Sequence, residues 1–420
     1  MNGEEKQKVH LVSLGCPKNT VDSERMLGLL QGNEYVLTEA AEQADVVVVN
    51  TCGFIGPAKE ESIDAIMDAH RLKAQGKCKG VVVTGCLSTR YYEELQQELI
   101  EADKLLTIAD ETDIVRHVDE VLGIERPDYL TSLPRTSLTP GHWSYLRISD
   151  GCDHKCAFCA IPAIRGRHAS EPVEQLVAEA ERLAAGGVRE LVLVSQDSVR
   201  YGADIYGRPQ LVRLLGALAA VEGIEWLRLM YTYPAFWTDE MIDFYASCDK
   251  MCNYIDMPLQ HIADPVLQRM KRATTRQKTI DLLAKLRDRL PGVGLRSTFI
   301  LGFPGETEAD FDQLLDFVEA TRFDHVSGFL YSPEEGTSAY ALGDDVPTAM
   351  KELRYSRLTQ LQERIATEIN DALVGTRQEV LVDSWDGAVY CARMERDAPE
   401  IDGQVLIDEG AAEVGYFVEV

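Results

Sequence analysis

Short apolar runs alternate with amphipathic stretches from residue 8 to about 125. KVHLVSL, DVVVVN and GVVVTG read as buried strands, with a weaker one at KLLTI. Between them, residues 21–31, 57–74 and 90–100 carry helical spacing. Pro57 suits a first helical turn, and Ser62, Ile66 and Ala69 continue that helix. Valine-rich strands that alternate with helices predict a parallel, doubly wound α/β domain over 8–126. Residues 127–141 hold turn residues without a period and predict a linker. Six further strand-like runs follow: WSYLRIS, RELVLVS, EWLRLMY, NYIDM, GLRSTFIL and HVSGFLY. Each precedes a helical stretch (172–185, 210–221, 239–246, 276–290, 306–321, 347–373), so 142–375 predicts an incomplete β/α barrel. From 376 to 420 the period becomes two, in RQEVLVDSW, GAVYCARM, QVLID and GYFVEV, which predicts a small β-barrel. The last apolar run stops early, so this barrel is expected to lack a closing strand or to be truncated.

Composition changes this picture in two ways. With no apolar run near 18 residues and a polar start, MNGEEKQKVH, the chain is expected to be cytoplasmic, with no membrane association. Ten cysteines in that compartment point to metal or redox chemistry rather than disulfides. Lys+Arg total 42 against 69 Asp+Glu, a net charge of −27, which disfavours contact with nucleic acid and favours a basic partner. Residues 376–420 alone carry eleven acids against Arg377, Arg393 and Arg396, a net 3 − 11 = −8. That module is expected to attract a basic protein.

The cysteines supply the chemistry. Cys152, Cys156 and Cys159 form a CxxxCxxC triad in the loop after the first barrel strand. Three thiolates so close in sequence converge on one inorganic centre. Structural zinc needs four ligands, which here means His154 or His168 as the fourth. A 4Fe–4S cluster on three cysteines instead leaves one iron open. Cys16, Cys52 and Cys86 each follow a strand of the first domain. Strand ends of a parallel sheet share one edge, where open α/β folds bind ligands, so a second triad is expected there. Cys78, Cys248, Cys252 and Cys391 show no pattern and read as structural.

Other barrel strand ends carry polar residues aimed at the same pocket. Gln196 and Asp197 follow the second, Gln260 and His261 the fourth, and the Gly302–Glu306 turn, GFPGE, the fifth. Arg296 and Thr298 share one face of that fifth strand. Gln196, Asp197, Gln260, His261, Arg296, Thr298, Gly302 and Glu306 are the expected cofactor contacts. The backbone N–H groups of GFPGE are expected to meet the cofactor's polar edge.

The CxxxCxxC spacing resembles the signature of radical S-adenosylmethionine (radical SAM) enzymes. With the three-cysteine α/β domain and a terminal module like a TRAM domain, nearly the whole chain resembles the radical SAM methylthiotransferases. SLGCPKNTVDSERM and ISDGCDHKCAFCAIPAIRGRHAS are similar to the branch that modifies small-subunit ribosomal protein S-twelve. Relatives acting on tRNA adenosines usually have Gln-Met where this chain has Pro17-Lys18. The resemblance implies two 4Fe–4S clusters. Cys152, Cys156 and Cys159 would hold the one that cleaves S-adenosylmethionine to a radical. Cys16, Cys52 and Cys86 would hold an auxiliary one carrying sulfur. The implied product is 3-methylthioaspartate, made on S-twelve free or on the ribosome, with an electron donor such as flavodoxin and no direct tRNA substrate. The rival readings are a tRNA adenosine methylthiotransferase and a non-catalytic electron carrier. The carrier needs fully ligated clusters, which three cysteines per set do not give.

Overall fold

Val46, Val48 and Val82 face one side of a parallel sheet while Val47, Val49, Val81 and Val83 face the other, and all are buried. That alternation is the period of two written into VVVVN and VVVTG. The computed structural model describes residues 6–410 and 412–420, which divide into two compact units. The first unit holds the described residues up to 138 together with 160–166, and the second holds 139–159 and the described residues from 167 onward.

In the first unit, β1 (Lys8–Ser13), β2 (Val36–Leu37), β3 (Val46–Thr51), β4 (Gly80–Gly85) and β5 (Lys104–Leu105) lie in the order β2-β1-β3-β4-β5, all parallel. Helices α1 (Pro17–Gly32) and α5 (Ile114–Leu122) cover one face, through Met26, Leu30, Ile114 and Val118. Helix α2 (Gly56–Ala74) covers the other with Ile66 and Ala69. The helix expected over 90–100 is two pieces, α3 (Cys86–Arg90) and α4 (Tyr92–Glu98), because Tyr91 leaves helical geometry at φ −123°. A short helix from later in the chain, α6 (Ile161–Ile164), also belongs to this unit.

Residues 127–138, expected as a linker, lie as a strap along α1. Asn33 bonds both backbone groups of Leu130, and buried Glu24 pairs with Arg135 while accepting the Leu138 N–H at 2.8 Å. The strap touches α1 where a Cβ on Gly28 would meet the Pro134 carbonyl at 2.2 Å, so only glycine fits there.

In the second unit, β6 (Trp143–Arg147) is followed by a two-stranded ribbon, β7 (Ser149–Asp150) with β8 (Ala169–Ser170). Then come β9 (Glu190–Val194), β10 (Trp226–Leu229), β11 (Tyr254–Asp256), β12 (Gly294–Leu301) and β13 (His325–Leu330). They form two parallel triplets, β6-β9-β10 and β11-β12-β13. Bonds from Leu227 to Lys250 and from Thr232 to Asp256 stitch β10 to the chain around β11. The result is an open run of six strands with β6 and β13 at its edges. Helices α7 (Val173–Ala185), α8 (Leu211–Ala219), α9 (Asp239–Ser247), α10 (Asp264–Arg269), α11 (Arg276–Arg289), α12 (Glu308–Thr321) and α13 (Thr348–Asp371) follow the strands. Most pack on one continuous core that includes Leu176, Leu214, Leu286, Leu314 and Leu358.

The terminal module is a four-stranded antiparallel sheet of β14 (Glu379–Trp385), β15 (Tyr390–Met394), β16 (Val405–Ile407) and β17 (Phe417–Glu419), in the order β16-β15-β14-β17. It closes the floor of the barrel, where the strands begin. Glu190 receives Arg228 and Arg393, both at 2.7 Å, and all three are buried. Asp383 takes Arg393 at 2.6 Å and His142 at 2.9 Å. Asp402 takes Arg296 at 3.2 Å and the Tyr254 hydroxyl at 2.7 Å, and Arg396 pairs with Asp324. Three of the acids counted in the module's charge of −8, Asp383, Asp397 and Asp402, are therefore turned to the barrel, where they pair with His142, His325 and Arg296. Among the described residues no helix is long and apolar enough to cross a membrane.

Candidate active site

In the first unit, the three cysteines stand at the C-terminal edge of the sheet. Cys16 caps α1 after β1, Cys52 follows β3, and Cys86 opens α3 after β4. The first two straddle the point where strand order reverses, between β1 and β3. Gly15 has φ +88°, and a Cβ there would lie 2.8 Å from the Cys52 Cβ. Gly85 has φ +98°, and its Cβ would strike Asn50 and Thr51 atoms at 2.3 to 2.6 Å. Glycine at both positions lets the thiol loops close together. Asn19 knits them: its amide donates to Leu14 and Thr51 carbonyls, and its Oδ1 accepts from Arg165 at 2.5 Å and lies 3.4 Å from Cys86 Sγ.

Charge separates the thiols. Burial pushes Cys16 up, but Lys18, Arg165 and the first N–H groups of α1 outweigh it and leave its pKa lowered. Burial raises Cys52, and it pushes Cys86 up to about 12 although Arg165 opposes it. Arg165 acts on all three thiols. It reaches them because α6 packs Ala160 and Ile164 against Cys86. Neither Asn19 nor Arg165 stood out in the sequence; a polar residue one turn into a helix leaves no periodic mark.

In the second unit, the Cys152–Cys159 loop sits above the strand ends. Its histidine is stacked on Tyr233, ring centroids 4.2 Å apart, and its Nε2 lies 2.5 Å from Asp197 Oδ2. Arg272 covers the Tyr233 ring at 4.0 Å, donates to the Pro258 carbonyl, and lies 3.6 Å from Cys156 Sγ. This belt of Asp197, His154, Tyr233 and Arg272 ties three strand ends to the loop. Ala157 donates to the Met270 carbonyl and accepts from Ala339, both at 2.8 Å, which fixes the loop's middle. Cys152 is pushed up to about 11 by burial and by neighbours that include Asp197 and Cys156.

Both histidines that would complete a zinc site are engaged, His154 with Asp197 and His168 with Ser170 at 3.1 Å. Among the described residues no three Cys, His, Asp or Glu side chains converge as a single-ion site. Two all-sulfur sets of three in close-packed small-residue loops fit polynuclear iron–sulfur chemistry, where each thiolate meets its own iron.

The other expected contacts divide. Gln196 donates to Asp150 at 2.8 Å, beside the loop's entry. Thr298 faces the barrel interior, partly open, and its carbonyl accepts from Gln260. Gln260 holds φ +73° and Tyr231 φ +59°, unusual values for such residues, at neighbouring strand ends. Four of the expected contacts are engaged by the protein's own groups. Arg296 is turned to the floor, bound to Asp256 at 3.1 Å, Asp402 and Ser327, not to the strand ends. The Gly302 and Phe303 N–H groups are taken by the Glu306 carboxylate, at 2.7 and 3.1 Å. Glu306 itself is buried against Arg354 at 2.9 Å, and burial raises its pKa to about 7. His261 is 1% exposed, accepts the Ala263 N–H, and is lowered to about 3 chiefly by burial. Gly302, Glu306 and His261 are thus held within the protein, beside the apolar cluster of Ala157, Ala263 and Phe303.

Residues 146–318 match the radical SAM superfamily, 8–107 match the uncharacterized protein family UPF0004, and 374–420 match the TRAM domain. The chain is 46% identical over 98% of its length, and 95% of the relative's, to the ribosomal protein uS12 methylthiotransferase RimO of Trichlorobacter lovleyi. It is 45% identical to that of Myxococcus xanthus, over 99% of this chain and 89% of the relative. Among solved structures, the radical S-adenosylmethionine methyltransferase TsrM from Kitasatospora setae shares the fold with a TM-score of 0.54 at 14% identity, covering 96% of this chain and 82% of that one. With its floor-closing terminal sheet and two cysteine sets, the chain belongs to the ribosomal protein uS12 methylthiotransferase family of radical SAM enzymes.

Proposed function

We propose that this chain methylthiolates the β-carbon of an aspartate in ribosomal protein uS12, giving 3-methylthioaspartate. The observation that supports this most is the full-length likeness to uS12 methylthiotransferases in a chain with two three-cysteine sets at two sheet edges. Cys152, Cys156 and Cys159 hold one 4Fe–4S cluster within 142–375, and Cys16, Cys52 and Cys86 hold the other within 8–126. When bound, the two clusters and S-adenosylmethionine supply the radical abstraction, the sulfur and the methyl group, chemistry beyond side-chain acids and bases. The chain's own residues orient and shield. Asp197 fixes the His154 ring, Tyr233 and Arg272 brace Cys156, and Gln196, Gln260 and Thr298 offer polar atoms to the cofactor's edge. Arg165 offsets negative charge at the first unit's thiols. The enzyme works in the cytoplasm with an electron donor such as flavodoxin, and tRNA is not its substrate.

Mass spectrometry of uS12 from cells with and without this gene tests the reading. A methylthio group on one aspartate only when the gene is present is expected. Unmodified uS12 together with gene-dependent methylthiolation of tRNA adenosines overturns it.

A further inference from the structure

Between β13 and α13 the chain makes a long loop over residues 331–347. Its inner side is fastened to the cysteine loop. Ala339 donates its N–H to Ala157, which lies between Cys156 and Cys159, and Lys271 reaches Ser338 at 2.9 Å. Tyr331 and Ala339 are buried with Ala157 and Phe303 in one apolar cluster. The outer side is open. Residues 340–345, YALGDD, are exposed in an unbroken run, with Tyr340 and Leu342 each 49% exposed. At the loop's root Phe329 is equally exposed, and its pairing with Ile300 puts it on the barrel-interior face, beside the open edge.

The loop's own charged residues are acidic, and two lysines from neighbouring elements, Lys271 and Lys351, meet it. Residues 332–349 contain Glu334, Glu335, Asp344 and Asp345 and no Lys or Arg, a net 0 − 4 = −4. Asp345 accepts the Gly305 N–H at 2.9 Å, and Asp344 meets Lys351 at 2.6 Å, so both acids are held in place two and three residues beyond Leu342 in the chain. Aromatic and aliphatic anchors inside a charged rim are the anatomy of a protein interface, and acids repel a phosphate backbone.

We propose that Phe329, Tyr340 and Leu342, rimmed by Glu335, Asp344 and Asp345, dock the protein substrate: a basic polypeptide segment that also presents apolar side chains. The proposal rests on the reading that the substrate is a ribosomal protein, and it names where that protein is gripped. A segment seated on this loop is held by the same backbone that fixes Ala157, so docking and the reacting carbon share one frame. The acids steer the encounter and the apolar anchors slow release.

The test measures the Kd of isolated uS12 by fluorescence anisotropy for the reconstituted enzyme and for Tyr340→Ala/Leu342→Ala. A rise of about tenfold is expected in the double variant, with iron content and thermal midpoint unchanged. Binding to the unaltered enzyme is expected to weaken as salt rises. Leu342→Gln, which keeps the turn's bulk, replaces the double variant should that one fail to fold. An unchanged Kd in an enzyme that still modifies uS12 overturns the docking surface alone. An unaltered enzyme that binds tRNA and leaves uS12 unmodified overturns the functional reading instead.

Discussion

Arg165 and Asp22 form a buried ion pair, 2.9 Å apart with side chains 1% and 5% exposed, six residues beyond Cys159 in sequence. The pair anchors α6 to α1, and with it the guanidinium that faces the first unit's thiols. Removing one member strands the other's charge in a dry site, at a cost of about 3–5 kcal/mol. Arg165→Met is therefore expected to lower the first unit's stability to urea by about 3 kcal/mol. Adding Asp22→Asn is expected to restore part of it, since no buried charge is then left alone. A double-mutant cycle in the iron-free protein checks this.

The two triads are expected to be separable. Anaerobic reconstitution is expected to give about eight irons, and about four after replacing either triad by alanine. Loss of Cys152, Cys156 and Cys159 is expected to abolish 5′-deoxyadenosine formation. Loss of Cys16, Cys52 and Cys86 is expected to leave it detectable while methylthio product disappears. Iron assay and product chromatography on the two variants decide it; equal loss of cleavage in both refutes the division.

Acidic residues of the terminal module are expected to differ sharply by position. Asp402 accepts from Arg296, Tyr254 and the Ala398 N–H, so Asp402→Ala leaves Arg296 short of a partner and is expected to cost about 3 kcal/mol. Exposed Asp408→Lys is expected to stay within about 0.5 kcal/mol. Chemical unfolding of the two variants separates them.

His325 gives this floor a pH dependence. Burial disfavours its charge, but Asp397 at 3.2 Å, Asp402 at 3.6 Å and the Arg396 carbonyl outweigh burial and raise its pKa above 6.5. A raised folded pKa means the protonated ring stabilises the fold fully below 6.5, and that contribution fades as pH rises through the folded value. The thermal midpoint is expected to fall over that window, and His325→Gln is expected to flatten the fall. Differential scanning calorimetry across the window reads it directly.

Much of this was legible because strand ends are predictable. The period of two in VVVVN and VVVTG fixed which residues ended each strand, and a parallel sheet brings such ends to one edge. Hence Cys16, Cys52 and Cys86, far apart in sequence, could be grouped. What stayed hidden shares a cause: sequence shows which groups a turn offers, not who takes them. GFPGE looks the same whether its N–H groups meet a ligand or the turn's own Glu306. Net charge likewise sums Asp383 and Asp402 with solvent-facing acids, although each is matched by an arginine, Arg393 and Arg296. The 127–138 strap escaped because its contacts, through Asn33 and Glu24, are single long-range bonds without a period.

The floor of the barrel bears on how such enzymes diversify. Glu190, Arg228 and Tyr254, all fully buried strand residues, find partners on the terminal module in Arg393, the Glu395 carbonyl and Asp402. A barrel cut before β14 would retain those groups without their counterparts, so the module cannot be exchanged like a bead on a string. A chimera that imports a foreign terminal sheet has to import matching strand-start residues with it. A substitution in one is then tied to a matching substitution in the other.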